Sequence, residues 1–223
     1  MKLKAAPIDL SLKCPFTMMV VGASKSGKST LVRNLLTQRK DKYNKHPGKV
    51  IWFYKVWQDM YEEMMEQNIV NQCEQGMPTC EWLQNNLPKG KNTTIVIDDM
   101  ALESDFDTIK IFTVLSHHYM MNVIFIAQNL YTNNKAFREI SLNSNYLAYM
   151  KNTRDGLQFS NFSRQFKPGR SKDMSDIMEE ATKKPHSYLF IDFQQDTEEK
   201  YRIQSNILKE DEEFPFPKLY ELN

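Results

Sequence analysis

The chain has 223 residues, of which 41% are hydrophobic and 26% are charged, and its formal net charge is +1. This length suffices for one α/β domain with a sizeable core, and the composition is ordinary for a globular protein. A net charge near zero excludes a protein that binds nucleic acid through overall basicity. We expect a single domain over residues 1–223, with a short irregular tail over residues 208–223.

No stretch of the sequence is long and apolar enough to cross a membrane, and residues 1–7 lack the apolar core of a secretory signal. The three cysteines, Cys14, Cys73 and Cys80, predict no disulfide framework, and their spacing disfavours a zinc site. These features predict an intracellular protein without a membrane partner.

Apolar runs alternate with helical periodicity along the chain. Strands are predicted over residues 16–21, 49–54, 93–97, 122–127, 146–150 and 188–193, with residues 201–204 pairing beside the last of them. Helices are predicted over residues 28–40, 58–68, 105–121, 155–166 and 172–182, and a helix-containing connection over residues 71–92. Several strands are continuous apolar runs, which is typical of strands buried on both faces of a parallel sheet. The sequence therefore predicts an α/β fold with a largely parallel sheet flanked by helices.

A glycine-rich loop joins the first predicted strand to the first helix. Its pattern is G-x-x-x-x-G-K-[ST], formed by Gly22, Ala23, Ser24, Lys25, Ser26, Gly27, Lys28, Ser29 and Thr30. The glycines let backbone N–H groups face phosphate oxygens, and the helix N-terminus adds partial positive charge. Lys28 would reach the β- and γ-phosphates, and the Ser29 hydroxyl would ligate Mg²⁺. The loop predicts a P-loop that binds ATP with Mg²⁺.

Two adjacent acids end the third predicted strand. Asp98 and Asp99 follow the apolar residues 95–97. An apolar strand that ends in a carboxylate beside the P-loop strand is the Walker B arrangement. Asp98 would hold Mg²⁺ through its water shell, and Asp99 would orient or deprotonate the attacking water. Together with the P-loop, these acids predict ATP hydrolysis.

Three further positions are candidates for catalysis. Gln128 ends the next predicted strand, where additional-strand P-loop ATPases carry a polar residue that senses the γ-phosphate; the alternative is a strand-terminal amide without a role. Charge on the departing phosphoryl group also needs a cation. Arg154 is the first candidate and Arg138 the second, and either could be an ordinary surface arginine. Lys25 within the loop is a further option, because it could act in cis.

Other nucleotide-binding classes fit less well. A signalling GTPase should carry an Asn-Lys-x-Asp motif, and the nearest run, residues 134–137, lacks the aspartate. A Rossmann fold is excluded because the loop spacing is not G-x-G-x-x-G. A nucleotide or nucleoside kinase stays open, since the basic stretch at residues 151–172 could form a lid.

The combination of motifs resembles the FtsK/HerA superfamily, and more closely the poxvirus-type genome-packaging ATPases of large DNA viruses, virophages and Polinton-like elements. The resemblance runs over roughly residues 14–205. It rests on Pro15-Phe16, the loop from Gly22 to Ser29, Ile97-Asp98-Asp99, Ala127-Gln128-Asn129 and the run from Arg138 to Asp155. Its most specific parts are Gln128-Asn129 and Thr153-Arg154-Asp155. Asp99 departs from the pattern, because many relatives in the wider superfamily have the longer glutamate there.

The resemblance implies a RecA/FtsK-like motor that forms a pentameric or hexameric ring and pumps double-stranded DNA into a preformed capsid. It implies a capsid portal or vertex as partner and a virus-infected cell as the setting. ATP would lie between subunits, with Lys28, Ser29 and Asp98 from one subunit and an arginine from the next. The basic residues 151–172 are the candidate for the DNA channel. The alternatives are a helicase or transposition-associated ATPase acting on single-stranded DNA, the kinase, and a non-catalytic nucleotide switch.

Overall fold

The computed structural model describes residues 9–87, 90–209 and 217–222. Its strands join in one nine-stranded sheet with the order β3-β2-β4-β5-β1-β6-β7-β8-β9. The strands are β1 (Thr17–Val21), β2 (Lys49–Tyr54), β3 (Gln72–Gln75), β4 (Thr93–Asp98), β5 (Met121–Ala127), β6 (Tyr146–Met150), β7 (Tyr188–Asp192), β8 (Ile203–Ser205) and β9 (Lys218–Tyr220). Pairing is parallel from β3 to β6 and antiparallel from β6 to β9.

Helices cover both faces of this sheet. They are α1 (Lys28–Thr37), α2 (Arg39–Lys42), α3 (Asp59–Glu66), α4 (Cys80–Asn86), α5 (Phe106–Lys110), α6 (Ser116–His118), α7 (Lys135–Leu142), α8 (Gly156–Phe166) and α9 (Ser171–Ala181). A π-helical turn at Ile111–Leu115 joins α5 to α6, and short 3₁₀ turns lie at Ala101–Glu103 and Glu199–Tyr201. Buried side chains of α1 and α3 pack on one face, and those of α4, α7, α8 and α9 pack on the other. None of the helices in the described part of the chain has the length and hydropathy needed to cross a membrane.

The strands are apolar on both faces because their side chains contribute to two separate hydrophobic cores, one on each face of the sheet. In β1, Met19 and Val21 belong to one buried cluster, whereas Met18 and Val20 belong to the other. Successive side chains of a strand point to opposite faces, so a strand that is covered twice needs an unbroken apolar run. All residues of β1, β4 and β5 are buried. The predicted parallel α/β sheet is therefore confirmed.

One prediction about strand order is wrong. The strand that ends at Asp98 does not lie beside the P-loop strand, because β5 pairs with β1 on one side and with β4 on the other. An inserted strand between these two defines the additional-strand class of P-loop NTPases, so the fold class itself is as predicted. The carboxyl ends of β4, β5 and β1 consequently meet at one edge of the sheet, with β5 in the middle.

Three elements were not predicted, for identifiable reasons. The strand β3 lies inside the expected connection and has the polar sequence QCEQ; it forms by pairing with β2 at the edge of the sheet. The strand β9 lies within the tail expected to be irregular, and pairs with β8; residues 210–216 of that tail lie outside the described residues. The helix α7 is short, is capped by the Asn134 side chain and buries only Phe137 and Ile140.

Truncating a buried leucine of α1 tests how strongly the P-loop helix depends on its core. Leu35 is 0% exposed and packs in the cluster beneath α1. Leu35→Ala should lower the free energy of unfolding by about 2–5 kcal/mol, because a cavity remains where the side chain was. Urea unfolding followed by circular dichroism measures this. Leu102→Ala is the control: Leu102 is 77% exposed, and equal effects of the two substitutions would contradict the packing described.

Candidate functional site

A cleft of about 890 Å³ opens at the carboxyl edge of the sheet, beside the P-loop. The strand register places its parts together, since Val21 pairs with Ala127 and Asp98 pairs with Ile126. The residues that line it come from the P-loop, α1, the start of α3, the ends of β4 and β5, the approach to β7 and the segment after β8: Ser24, Lys25, Gly27, Lys28, Ser29, Thr30, Leu31, Asn34, Gln58, Met60, Asp98, Asp99, Gln128, Lys184, Pro185, His186, Ser187, Tyr188, Asn206 and Leu208.

Two glycines give the loop its shape. Gly27 precedes α1 with φ 99°, a left-handed conformation that favours glycine. Gly22 lies where a Cβ atom would come within 2.7 Å of the Met150 Cβ and of the Ser26 Oγ. These positions let the loop turn tightly from β1 into α1. The N-terminus of α1 therefore faces the cleft, where its free N–H groups favour an anion.

Lys28 lies inside the loop rather than pointing to solvent. Its Nζ donates hydrogen bonds of 2.8 Å to each of the carbonyl oxygens of Gly22 and Ala23, and the residue is 9% exposed. Burial lowers the pKa of the ammonium group, and the nearby carboxylates of Asp99 and Asp98 offset part of this. The Lys28 ammonium group is thus held beside the N-terminus of α1, where a phosphate group would bind.

Asp98 is the most enclosed acid of the cleft, at 5% exposed. Its Oδ2 accepts hydrogen bonds from the Ser29 hydroxyl at 3.3 Å and from the Tyr61 hydroxyl at 3.1 Å. Burial raises the pKa of this carboxyl group, and the two hydrogen bonds counteract the rise. A hydroxyl and a carboxylate side by side are oxygen ligands of the kind that Mg²⁺ prefers, so these residues fit the predicted ion.

Asp99 lies beside this group but faces the open cleft. Its backbone adopts φ 57°, which aspartate tolerates better than most residues. Its N–H donates to the Ile126 carbonyl at 3.0 Å. The Gln128 Nε2 donates to both Asp99 carboxylate oxygens, at 3.2 and 2.9 Å. The amide at the end of β5 therefore orients the exposed carboxylate.

The predicted arginines do not lie in the cleft. Arg154 is exposed on the loop after β6, and its backbone N–H donates to the Asn152 side chain at 3.0 Å. Arg138 is exposed on α7. Neither side chain pairs with a carboxylate among the described residues. Of the candidate cations, the chain brings only Lys25 and Lys28 to the cleft.

Two parts of the site were missed in the sequence. Tyr61 lies on α3, packs against the rings of Trp52, Tyr54 and Trp57, and holds Asp98; the predicted helix gave no sign that its hydroxyl points to the acid. His186 precedes β7, and its Nδ1 lies 3.0 Å from the Ser26 carbonyl oxygen. No local motif marks it, because only the sheet order brings the residues before β7 to the P-loop.

Comparisons with known proteins add little beyond the fold. No protein-family model and no curated protein matches the chain. The flagellar accessory protein FlaH from Methanocaldococcus jannaschii is a structural neighbour with TM-score 0.41 and 12% identity, over 60% of this chain and 70% of that chain. A KaiC-like protein from Pyrococcus horikoshii OT3 has TM-score 0.42 and 11% identity, over 93% of this chain and 90% of that chain. Similarity at this level concerns the general fold alone.

The contact between Tyr61 and Asp98 predicts a pH effect. Tyr61→Phe removes a hydrogen bond to the ionised carboxylate, so the pKa of Asp98, already raised by burial, should rise further. Asp98 holds a metal ion only when ionised, so Mg²⁺-dependent ATP binding, which is lost as pH falls through this pKa, should be lost at a higher pH. A bond worth about 1 kcal/mol moves the midpoint by about 0.7 pH unit.

Titration of ATP affinity with Mg²⁺, upward from the ordinary aspartate pKa of about 3.9, measures this midpoint. Tyr43→Phe is the matched control, because the Tyr43 side chain is buried beside Thr94, Cys14 and Arg39 rather than beside Asp98. Coincident midpoints for Tyr61→Phe and the unaltered protein would show that Tyr61 does not support Asp98.

Proposed function

We propose that this protein hydrolyses ATP and uses the reaction to translocate double-stranded DNA into a preformed viral capsid. One observation carries the enzymatic part of the proposal. The buried Asp98 is hydrogen-bonded to Ser29 of the P-loop. Asp99 beside it faces the cleft, and its carboxylate accepts hydrogen bonds from the Gln128 side chain. A P-loop alone suits binding, whereas a second, oriented carboxylate next to the phosphate site suits attack by water.

The first step is capture of the nucleotide. The Lys28 Nζ exchanges the carbonyl oxygens of Gly22 and Ala23 for β- and γ-phosphate oxygens, which are stronger partners because they are charged. The N–H groups at the start of α1 hold the phosphates. Ser29 and Asp98 would hold Mg²⁺, which when bound neutralises phosphate charge.

The second step is hydrolysis. Asp99 accepts a proton from the water that attacks the γ-phosphorus, the bond from this phosphorus to the β,γ-bridging oxygen breaks, and ADP and phosphate are released. Gln128 keeps the Asp99 carboxylate turned to the cleft. The open side of the cleft leaves room for a cation from outside the subunit.

The resemblance to genome-packaging ATPases supports the mechanical part of the proposal, a pentameric or hexameric ring at a capsid portal or vertex in a virus-infected cell. Arg154 is suited to serve a neighbouring subunit. The strand β6 runs parallel to β1, with Tyr149 paired to Val21, so the loop that carries Arg154 leaves the sheet at the edge where the P-loop lies. Arg154 is exposed there. An arginine finger that acts on the nucleotide of a neighbouring subunit must be exposed in this way.

Duplex DNA should stimulate ATP hydrolysis by the purified protein. Asp99→Asn should lower turnover by about 100-fold or more while ATP stays bound, because the residue keeps its size but loses its basicity. Lys28→Ala should abolish ATP binding or turnover. Phosphate release is measured with duplex DNA, with single-stranded DNA and without DNA.

The other functions give different results in this assay. Stimulation by single strands alone would indicate the helicase or transposition-associated ATPase. Phosphate transfer to a nucleoside rather than to water would establish a kinase. A rate of ATP hydrolysis that DNA does not change at any salt concentration, together with no DNA affinity, would refute the proposed motor function.

Mixed rings test whether Arg154 acts across subunits. Arg154→Ala and Asp99→Asn should each be inactive alone. Mixing them should restore part of the activity, because some interfaces then combine an intact Asp99 with an intact Arg154. Arg138→Ala mixed with Asp99→Asn is the matched comparison, since Arg138 is also an exposed arginine but lies on α7. If mixtures with Arg154→Ala stay inactive, the shared site loses its support.

A further inference from the structure

Three adjacent segments at the amino edge of the sheet, opposite the nucleotide cleft, carry lysine or histidine side chains: two loops, and the helix α6 with the two residues that follow it. They precede β2, β4 and β5, which are neighbours in the sheet. Their amino ends are level, since Lys49 pairs with Thr93 and Thr93 pairs with Met121. We call the surface they form the amino-edge surface, and it comprises Lys45, His46, Lys49, Lys91, His117 and His118.

Hydrogen bonds join the three segments into one surface. The Gly48 N–H donates to the Asn92 carbonyl at 2.6 Å, and the Asn92 side chain donates to the Lys45 carbonyl at 2.8 Å. On the other side, the Asn122 side chain donates to the Asn92 side chain at 3.1 Å. Because neighbouring strands are about 4.8 Å apart, the three segments lie within about 10 Å of one another.

The charges of this surface are not balanced locally. The segments 42–49, 90–92 and 116–122 contain no aspartate or glutamate. Lys45, His46, Lys91, His117 and His118 are exposed, and the side chains of Lys45 and Lys91 form no ion pair with any described carboxylate. Lys49 is half-buried and donates to the Gln72 side chain at 2.7 Å. The nearest preceding acid, Asp41, is paired with Lys209.

The basic stretch at residues 151–172 is different. Two of its six cations are ion-paired, Lys167 with Glu199 and Arg170 with Asp173 at 3.0 Å, and a third, Arg164, donates to the neutral side chain of Asn161 at 2.9 Å. The structure thus reduces the charge available in the segment that the sequence favoured for DNA, and shows a second basic surface that no single segment of the sequence displays.

Helix C-termini do not account for the two lysines. Parallel β-α-β connections place helix C-termini at the amino edge, where a nearby cation is favourable, but that effect fades within the last turn. Lys45 lies beyond the end of α2 at Lys42, and Lys91 lies beyond the end of α4 at Asn86. The charge of these two lysines is therefore available to an anion from outside the chain.

We propose that the amino-edge surface binds the phosphate backbone of double-stranded DNA, an inference that rests on the proposed motor function. Cations within about 10 Å of one another act together on a polyanion at physiological salt, because this distance is close to the screening length. Contacts to phosphates need no base readout, which suits a motor that moves along any sequence. The exposed neutral amide of Asn44 on the same surface is a further donor to phosphate oxygens.

This placement separates the DNA from the nucleotide. The strand β4 has 6 residues, so its two ends lie about 20 Å apart at a rise of about 3.3 Å per residue. Asp98 and Asp99 leave one end of β4, and Lys91 precedes the other. DNA bound at the amino edge leaves the cleft accessible, and the rigid central strands connect the two sites.

The test compares two matched double variants. Lys45→Gln/Lys91→Gln removes two charges from the amino-edge surface, and Lys151→Gln/Lys172→Gln removes two exposed charges from the segment 151–172. Binding of a fluorescent duplex is measured by anisotropy over a range of salt concentrations, and ATP hydrolysis is measured without DNA. The amino-edge variant should bind more weakly, with a salt slope shallower by about 2, since each lost phosphate contact removes about 0.9. The second variant should bind like the unaltered protein.

Basal ATP hydrolysis and thermal unfolding should be unchanged in both variants, because neither pair of residues touches the cleft. An amino-edge variant that keeps the affinity and salt slope of the unaltered protein would overturn this inference and leave the motor standing. Loss of duplex binding in the 151–172 variant alone would also overturn this inference and leave the proposed motor function standing. An unaltered protein that binds polyglutamate but no duplex would point to an acidic protein partner, and would overturn the proposed DNA motor together with this inference.

Discussion

The hydrogen bond from the Ser29 hydroxyl to the buried Asp98 carboxylate ties the phosphate-binding loop to the strand that carries the acids. It spans the position of β5, so both partners must leave the sheet at the same level for the bond to form. An isolated carboxylate at this depth would be protonated or solvated, since burial disfavours its charge. The hydroxyls of Ser29 and Tyr61 make the ionised form tenable and keep the site ready for a metal ion and a phosphate.

The central strands make this contact possible because they are rigid. β1, β4 and β5 are buried along their whole length between two layers of helices, and interiors packed in this way do not deform continuously. The polar residues appear only where these strands end. The P-loop, Asp98 and Asp99 accordingly lie at the carboxyl edge, whereas Lys45 and Lys91 lie in loops at the amino edge.

The antiparallel half of the sheet adds a second wall to the cleft. The chain enters β7 from the carboxyl edge because β7 runs against β6, and this direction brings His186 onto the P-loop next to Gly27. Gln58 and Met60, at the start of α3, also line the cleft. Both groups of residues lie outside the nucleotide-binding motifs, so they adapt a general P-loop site to this particular chain.

The sequence by itself determined the P-loop, the acids that follow an apolar strand and the alternation of strands and helices, because these features are local: a spacing of glycines, an unbroken apolar run, a helical period. It could not reveal β3 or β9, which have no apolar run and exist only through pairing with a neighbour. Tertiary structure alone decided that β5 separates the P-loop from Asp98, that Tyr61 holds Asp98 while His186 lines the cleft, and that Arg154 and Arg138 stay outside it. Each of these depends on strand order and direction, which arise from contacts between residues far apart in the chain and leave no local pattern.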